Sequence, residues 1–232
     1  MKPVIIALDF PNRQETMDFL QPFRDEKPFV KIGMELFYGE GPDLVREIKD
    51  MGYPIFLDLK LHDIPHTVER AMRRLHTLNV DMTNLHAAGG SAMMRAAREG
   101  YPDGVLLAVT QLTSTSPEML KDELGIVKPM NDIIVQYAAL AKESGLNGVV
   151  CSPLESPLVH ERLGKAFLTV TPGIRFADNA KDDQKRVTTP AQAKELGSSY
   201  IVVGRSITKA EDPVASYRRA LADFGDAEAE NR

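Results

Sequence analysis

Eight short apolar segments recur along the 232-residue chain, and longer stretches with helical periodicity separate them. The segments cover residues 4–9, 29–32, 55–60, 80–86, 105–111, 148–152, 167–171 and 200–204. Several are apolar at successive positions, as from Val4 to Leu8, which is typical of strands that are buried on both faces of a parallel sheet. The alternation therefore predicts an α/β fold of eight βα units, each of about 29 residues.

The residues that flank the helical stretches carry the signals of helix ends. Asn12 with Glu15 three residues later resembles a capping box, and Asp212-Pro213 is typical of an N-cap followed by proline. Gly52 follows an apolar stripe and predicts the end of the second helix. These signals support helices between the strands.

Two architectures fit eight βα units joined by right-handed crossovers, namely an open doubly wound sheet and a closed (β/α)8 barrel. Eight units of nearly equal length, with no Gly-x-Gly-x-x-Gly segment after the first strand, favour the barrel. We predict a single-domain (β/α)8 TIM barrel over residues 1–224 and a frayed polar tail over residues 225–232.

Composition argues against several classes of protein. The 28 basic and 33 acidic side chains give a net charge of −5, which is unfavourable for binding DNA or RNA. No window approaches the length of an apolar membrane span, and the first residues lack the pattern of a secretion signal. The single cysteine, Cys151, cannot form an internal disulfide. We therefore expect a cytoplasmic protein with no nucleic-acid or membrane partner.

Polar side chains follow the predicted strands at their C-terminal ends, where (β/α)8 barrels carry their active sites. They are Asp9, Lys31, Asp58, Lys60, Asp63, Asn84, His86, Gln111, Thr113, Ser152, Thr171 and Arg205, with Pro172, Gly173 and Gly204 beside them at the ends of the last two strands. We expect the functional residues to come from this set.

The third strand gives the most specific signal. Its leucines alternate with Asp58, Lys60 and His62, so the charged side chains share one face. If this were an edge strand, its charged face could be exposed to solvent. The third of eight strands is not at an edge, and its leucines are expected to pack against the helix that follows. The charged side chains would then point into the mouth of the barrel. Lys31 on the second strand can join them. Nearby carboxylates favour a protonated lysine, which suits a proton donor better than a Schiff-base nucleophile.

Two glycine- and arginine-containing segments follow the last two strands, where barrels commonly bind phosphate. Pro172-Gly173-Ile174-Arg175 follows the seventh strand, and Gly204-Arg205 follows the eighth. Glycine lets backbone N–H groups approach an anion, and arginine offers several donors. Residues 175–187 are long enough to form a lid over the phosphate. The alternative is that the glycines serve turns and the arginines are solvated.

Taken together, Asp58-x-Lys60-x-x-Asp63, Lys31 and the two phosphate segments resemble the orotidine 5′-phosphate decarboxylase family. The resemblance covers nearly the whole chain. The Asp-x-Lys-x-x-Asp element alone also occurs in related metal-dependent enzymes that act on 3-keto-gulonate phosphate and hexulose phosphate. In those enzymes an acidic metal ligand replaces the lysine of the second strand, so Lys31 favours the decarboxylase.

The resemblance implies a role for each matching residue of the charged array. Lys60 would protonate C6 of the pyrimidine, Asp58 would lie near the departing carboxylate, and Lys31 would contact the ribose and the array. Asp9 would bind a ribose hydroxyl. Asp63, Ile64 and Thr67 would come from the second subunit of a homodimer, so that the two subunits share their active sites.

The resemblance also assigns the remaining contacts to the nucleotide. Thr113 would meet the pyrimidine edge, and Gln184 would reach from the lid toward the base and the phosphate. Arg205 and the Gly204 amide would hold the phosphate, with Pro172 and Arg175 as further binding positions.

The implied reaction is the decarboxylation of orotidine 5′-phosphate to UMP, the last step of de novo pyrimidine nucleotide synthesis, without a metal or another cofactor. Two alternatives stay open. One is a metal-dependent sugar-phosphate lyase on the same barrel, with Asp58 as a ligand. The other is a nucleotide-binding module without catalytic activity.

Overall fold

Eight parallel strands pair in chain order and close into a barrel in the computed structural model, which describes residues 3–179 and 188–225. The strands are β1 (Val4–Ala7), β2 (Phe29–Gly33), β3 (Ile55–Leu61), β4 (Met82–His86), β5 (Val105–Val109), β6 (Gly148–Val150), β7 (Leu168–Ile174) and β8 (Tyr200–Val203). All eight predicted strands are confirmed, with ends that differ by up to three residues. The seventh differs most, because Pro172 and Gly173 belong to the strand rather than following it.

Pairing between the first and last strands closes the sheet. β1 pairs with β2 through Ile5 and Phe29, and on its other edge it pairs with β8 through Val4 and Ile201. Both pairings are parallel. The predicted (β/α)8 barrel is therefore confirmed, and the open doubly wound sheet is excluded.

The helices that surround the barrel follow the order that the sequence predicts. They are α1 (Arg13–Leu20), α2 (Met34–Asp50), α3 (Pro65–His76), α4 (Gly90–Gly100), α5 (Pro117–Asp122), α6 (Met130–Glu143), α7 (Ser156–Leu163), α8 (Pro190–Glu195), α9 (Arg205–Thr208) and α10 (Pro213–Asp223). None of the helices in these described ranges is long and apolar enough to cross a membrane.

Two helix N-caps form at the predicted residues, but the capping box is incomplete, because the Glu15 carboxylate accepts from the Asn12 side-chain amide at 2.9 Å and not from the Asn12 backbone. The Asn12 side chain accepts a hydrogen bond from the Glu15 backbone N–H at 2.9 Å, and Asp212 accepts one from Ala215 at 2.9 Å. One helix differs, because α2 begins ten residues before the apolar stripe at Leu44 and changes direction at Gly41, whose φ is +73°. The short helix α5 follows β5 without a periodic stripe that would predict it.

Apolar side chains form two layers, one on each side of the sheet. The layer inside the barrel consists of Ile5, Ala7, Phe29, Phe56, Met82, Leu107, Val170 and Val202. A larger layer lies between the strands and the surrounding helices and includes Leu57 and Leu59 of β3. Burial on both faces explains why the strand segments are apolar at successive positions.

Two predicted features lie wholly or partly outside the described residues. Apart from Gly225, the polar tail predicted at 225–232 is not described. Most of the predicted lid, including Gln184, falls in the undescribed range 180–187.

β6 and β7 lie so close together at Gly148 that adding one methyl group there is expected to destabilise the protein. A Cβ on Gly148 would lie 2.3 Å from the backbone oxygen of Leu168. We expect Gly148→Ala to lower the free energy of unfolding by about 1–3 kcal/mol, measured by urea denaturation. The control is Gly39→Ala in α2, where a Cβ meets nothing within 4 Å, and a gain of up to about 1 kcal/mol is expected. Equal stability of the two variants would contradict this account of the contact.

Candidate active site

A carboxylate lies between two ammonium groups in the mouth of the barrel. Asp58 of β3 is only 8% exposed, and its Oδ1 is 2.7 Å from Nζ of Lys60. Its Oδ2 is 3.4 Å from Nζ of Lys31 on β2. Nζ of Lys31 is also 3.5 Å from Oδ1 of Asp9, which follows β1. The structure therefore joins four of the predicted residues into one charged array, made of Asp9, Lys31, Asp58 and Lys60.

The registers of the first three strands place these side chains together. Lys31 pairs with Ala7, two residues before Asp9, and Asp58 pairs with Gly33, two residues after Lys31. The missing side chain at Gly33 leaves room for the lysine, because a Cβ there would lie 3.2 Å from Nζ of Lys31. The array thus depends on the pairing of β1, β2 and β3.

Opposing effects act on the ionisation of Asp58. Burial raises the pKa of its carboxyl, but the charges of Lys31 and Lys60 and the hydrogen bonds from Lys60 and Asn84 lower it more strongly. The net result is a pKa below the ordinary range of an aspartate. The site therefore presents an ionised carboxylate beside two cations.

The backbone of β3 departs from a regular strand at Lys60. Lys60 has a φ of +51°, and the pairing with β4 changes register between Leu57 and Leu61. The left-handed conformation is unfavourable for a residue with a side chain, by roughly 1–2 kcal/mol. The predicted placement of Asp58 and Lys60 on the inner face is confirmed, but the regular alternation through Lys60 is wrong.

Asn84 of β4 contacts both residues and was assigned no role from the sequence. It is fully buried, its Oδ1 accepts the backbone N–H of Lys60 at 2.8 Å, and its Nδ2 donates to Oδ1 of Asp58 at 2.7 Å. Its position at the end of a strand is the one signal in the sequence that points to it.

Two histidines lie beside the array. The rings of His62 and His86 are 5.6 Å apart between centroids. Burial lowers the pKa of His86, and electrostatic interactions with His62 and Lys60 lower it further, while Asp58 opposes them. The neutral imidazole is therefore favoured at His86.

The residues predicted to serve a second subunit lie on an exposed stretch. Asp63 accepts a hydrogen bond from the backbone N–H of Ile64 at 2.6 Å, and Ile64 is 66% exposed. Thr67 in the first turn of α3 is also exposed. Within the described residues, no ion pair joins Asp63 to Lys60 of the same chain.

The predicted phosphate segments lie at the ends of β7 and β8. A Cβ on Gly204 would be 3.8 Å from Oδ2 of Asp9, which places the end of β8 beside the charged array. Arg205 begins α9 and is exposed. Arg175 directly follows β7, and its backbone N–H donates to the carbonyl of Thr188 at 3.1 Å. Thr113 is exposed in the connection that follows β5.

A cavity of about 210 Å³ opens over the array and is lined by Asp9, Lys31, Gly33, Asp58 and Lys60 among others. A larger groove of about 850 Å³ lies on the outer surface, where α6 and α7 contribute residues such as Asp132 and Arg162. The convergent buried charges, rather than the volume, identify the smaller cavity as the candidate active site.

An array of two lysines and two aspartates around the buried Asp58, next to glycine- and arginine-containing strand ends, defines a (β/α)8-barrel enzyme that acts on a small anionic substrate. The chain belongs to the orotidine 5′-phosphate decarboxylase / HUMPS family, whose model matches residues 2–220.

Individual relatives are similar over nearly the whole chain. Orotidine 5′-phosphate decarboxylase from Geobacillus sp. (strain WCH70) is 58% identical over 96% of each chain, and the one from Bacillus cytotoxicus is 58% identical over 94% of each. The crystal structure of the Lactobacillus acidophilus enzyme has a TM-score of 0.87 and 44% identity, and covers 97% of this chain and 100% of its own. The Pyrococcus horikoshii enzyme, with 24% identity and a TM-score of 0.76, supports the fold alone.

The lowered pKa of Asp58 predicts how its contribution to stability depends on pH. The contribution should be complete above about pH 5, where an unfolded aspartate is almost fully ionised, and should be lost as the pH falls through about 4 toward the lower folded pKa. The Asp58→Asn variant has no carboxylate at this position to be protonated. Its free energy of unfolding should therefore fall less steeply on acidification than that of the wild type. Urea denaturation at several pH values measures both slopes.

The control for this experiment is Asp43→Asn. The Asp43 side chain is 86% exposed and pairs with Arg46 on the surface, so its removal should change stability by less than about 1 kcal/mol. Parallel curves for Asp58→Asn and the wild type would show that the array does not hold Asp58 in its ionised form.

Proposed function

We propose that the protein catalyses the decarboxylation of orotidine 5′-phosphate to UMP, the last step of de novo pyrimidine nucleotide synthesis. The observation that carries this proposal is the buried Lys60–Asp58 ion pair, at 2.7 Å, in the mouth of a barrel of this family. The reaction needs a fixed cation next to the reacting carbon, and Lys60 supplies it.

The proposed reaction breaks the bond between C6 and its carboxylate. The electron pair stays on C6, CO2 leaves, and the Lys60 ammonium donates a proton to C6. The neutral lysine then regains a proton from water. The charge at C6 has no adjacent carbonyl to receive it as an enolate, so a cation held in place stabilises the transition state.

Asp58 has two roles in this proposal. It holds the Lys60 ammonium in position through their hydrogen bond. It also repels the substrate carboxylate, and at 4 Å and an effective dielectric constant of 20 this repulsion amounts to about 4 kcal/mol. Loss of CO2 removes the repulsion, which favours the reaction as the bond breaks.

The other predicted residues would bind the nucleotide away from the reacting carbon. Lys31 and Asp9 would contact the ribose, and Thr113 would contact the pyrimidine. Gly204, Arg205, Arg175, Pro172 and Gln184 would bind the phosphate or close over it. Binding energy from the phosphate would then contribute to the ordering of the site.

We further propose a homodimer in which Asp63, Ile64 and Thr67 of one subunit complete the site of the other. Support comes from the exposure of the stretch, above all of Ile64, which is 66% exposed although apolar. Asp63 of a neighbouring subunit would also give Lys60, which pairs with Asp58 in its own chain, a second carboxylate. We place the enzyme in the cytoplasm, since its one cysteine, Cys151, is buried and unpaired.

The position of Lys31 argues against a metal-dependent lyase with Asp58 as a ligand. A divalent cation such as Mg²⁺ would lie about 2 Å from a ligating carboxylate oxygen. Oδ2 of Asp58 faces the Lys31 ammonium at 3.4 Å, and Oδ1 faces the Lys60 ammonium. A cation bound there would be repelled by both lysines.

Purified protein should release CO2 from orotidine 5′-phosphate in the presence of EDTA. Lys60→Ala should lower kcat by at least about 10³-fold, because it removes both the cation and the proton donor. Absence of turnover, or turnover that depends on an added divalent metal, would contradict the proposal. Absence of turnover with undiminished UMP binding would instead support a binding module.

The matched control for Lys60→Ala is Lys49→Ala. Lys49 also forms a half-buried ion pair, with Asp81, but at the opposite end of the barrel. Its removal should leave kcat unchanged below the temperature of unfolding. An equal loss of kcat in both variants would mean that Lys60 acts through stability alone.

A mixing experiment tests the shared site. Lys60→Ala and Asp63→Ala chains, each inactive alone, should form hybrids in which one of the two sites is intact. With random exchange, about one quarter of the wild-type activity should return. Mixing Lys60→Ala with Asp58→Ala should restore nothing, since both residues serve the site of their own chain. If subunits exchange and neither mixture regains activity, the shared-site proposal is wrong.

A further inference from the structure

The amide of Asn84 connects the two residues at the centre of the charged array. We propose that Asn84 is a positioning residue for the decarboxylation, which fixes the rotation of the Asp58 carboxylate and the backbone of Lys60. This inference rests on the proposed function and adds to it a residue that contacts no part of the substrate.

The orientation of the Asn84 amide follows from its partners. A backbone N–H can only donate, so the Lys60 N–H, 2.8 Å away, requires the amide oxygen on that side. The amide nitrogen then faces Oδ1 of Asp58 at 2.7 Å and donates to it. One planar group thus satisfies a donor and an acceptor that belong to different parts of the site.

The change of register in β3 creates the need for this acceptor. Because the pairing between β3 and β4 shifts between Leu57 and Leu61, the N–H of Lys60 bonds to a side chain instead of a β4 carbonyl. The bond supports the φ of +51° at Lys60. Without it, the buried N–H would be unsatisfied, and the backbone would gain by relaxing toward an extended conformation that moves the ammonium.

The second bond of Asn84 determines which oxygen of Asp58 faces which lysine. Oδ1 receives both the Asn84 amide and the Lys60 ammonium, which leaves Oδ2 for Lys31 at 3.4 Å. An ionised carboxylate in place of the amide could accept the Lys60 N–H but could not donate to Asp58. An apolar side chain could do neither. Asparagine therefore suits this position because it both accepts and donates.

Asn84→Asp tests the proposal with almost no change in shape. The new carboxylate keeps the acceptor for Lys60 and places a like charge against Asp58, so the two carboxylates should retain a shared proton to higher pH. The other charged or titratable groups around Asp58 are Lys31, Lys60 and His86. We expect kcat to fall by at least about 10²-fold and the acid limb of its pH profile to move to higher pH.

The matched control is Thr83→Val, one residue earlier on β4. Thr83 is also fully buried, and its hydroxyl donates to the Leu57 carbonyl at 2.9 Å, on the face away from the array. The variant removes a buried bond between β3 and β4 without touching Asp58 or Lys60. Its kcat and pH profile should match those of the wild type.

The outcomes separate this inference from the proposed function. A wild-type protein that releases no CO2 defeats the proposed function itself. An active wild type together with an Asn84→Asp variant of unchanged kcat and pH profile overturns the role of Asn84, as does an equal loss of kcat in Thr83→Val.

If Asn84→Asp does not fold, the proposal is tested with Asn84→Ala, whose kcat is compared with those of the wild type and of Thr83→Val. It removes both hydrogen bonds and adds no charge, so kcat should fall, and loss of the bond to Asp58 should move the acid limb upward by less than a second carboxylate would. A wild-type kcat in this variant would overturn the inference.

Discussion

A carboxylate buried in the mouth of an apolar barrel is stable only in the company of cations. Asp58 meets this condition through Lys60 on its own strand and Lys31 on the next. The two lysines in turn need carboxylates, which explains why Asp9 lies beside Lys31 and why an exposed Asp63 suits a neighbouring subunit. The requirement of charge balance thus connects three strands of the barrel and a proposed dimer interface.

The sequence was sufficient to predict the barrel and the centre of the site. Strands that are buried on both faces can be recognised in the sequence by their successive apolar residues. Once the sheet closes into a barrel, the residues at the C-terminal ends of these strands all lie at the same end of the barrel. This reasoning placed Asp58, Lys60 and Lys31 together correctly, because all three lie at the C-terminal ends of neighbouring strands, although the alternation of β3 does not continue through Lys60.

The conformation of Lys60 and the role of Asn84 could not be predicted in the same way. A positive φ is rare for lysine and is stabilised here by a side chain 24 residues away in the sequence. Nothing in the local sequence of β3 indicates it. Likewise, α5 has no amphipathic stripe, so its position after β5 follows from the packing of the chain around it rather than from periodicity.

The pairing of β1 with β8 joins residues that are about 200 positions apart in the chain. Asp9 follows the first strand and Gly204 follows the last, yet a Cβ on Gly204 would lie 3.8 Å from Oδ2 of Asp9. A ribosome must therefore synthesise the chain from β1 through β8 before these residues can meet. A nascent chain that ends before Tyr200 contains the complete Lys31–Asp58–Lys60 cluster but has no eighth strand on which to form the other side of the mouth. The proposed binding of the nucleotide by Gly204 and Arg205, like the closing of the sheet, therefore requires that β8 has been synthesised.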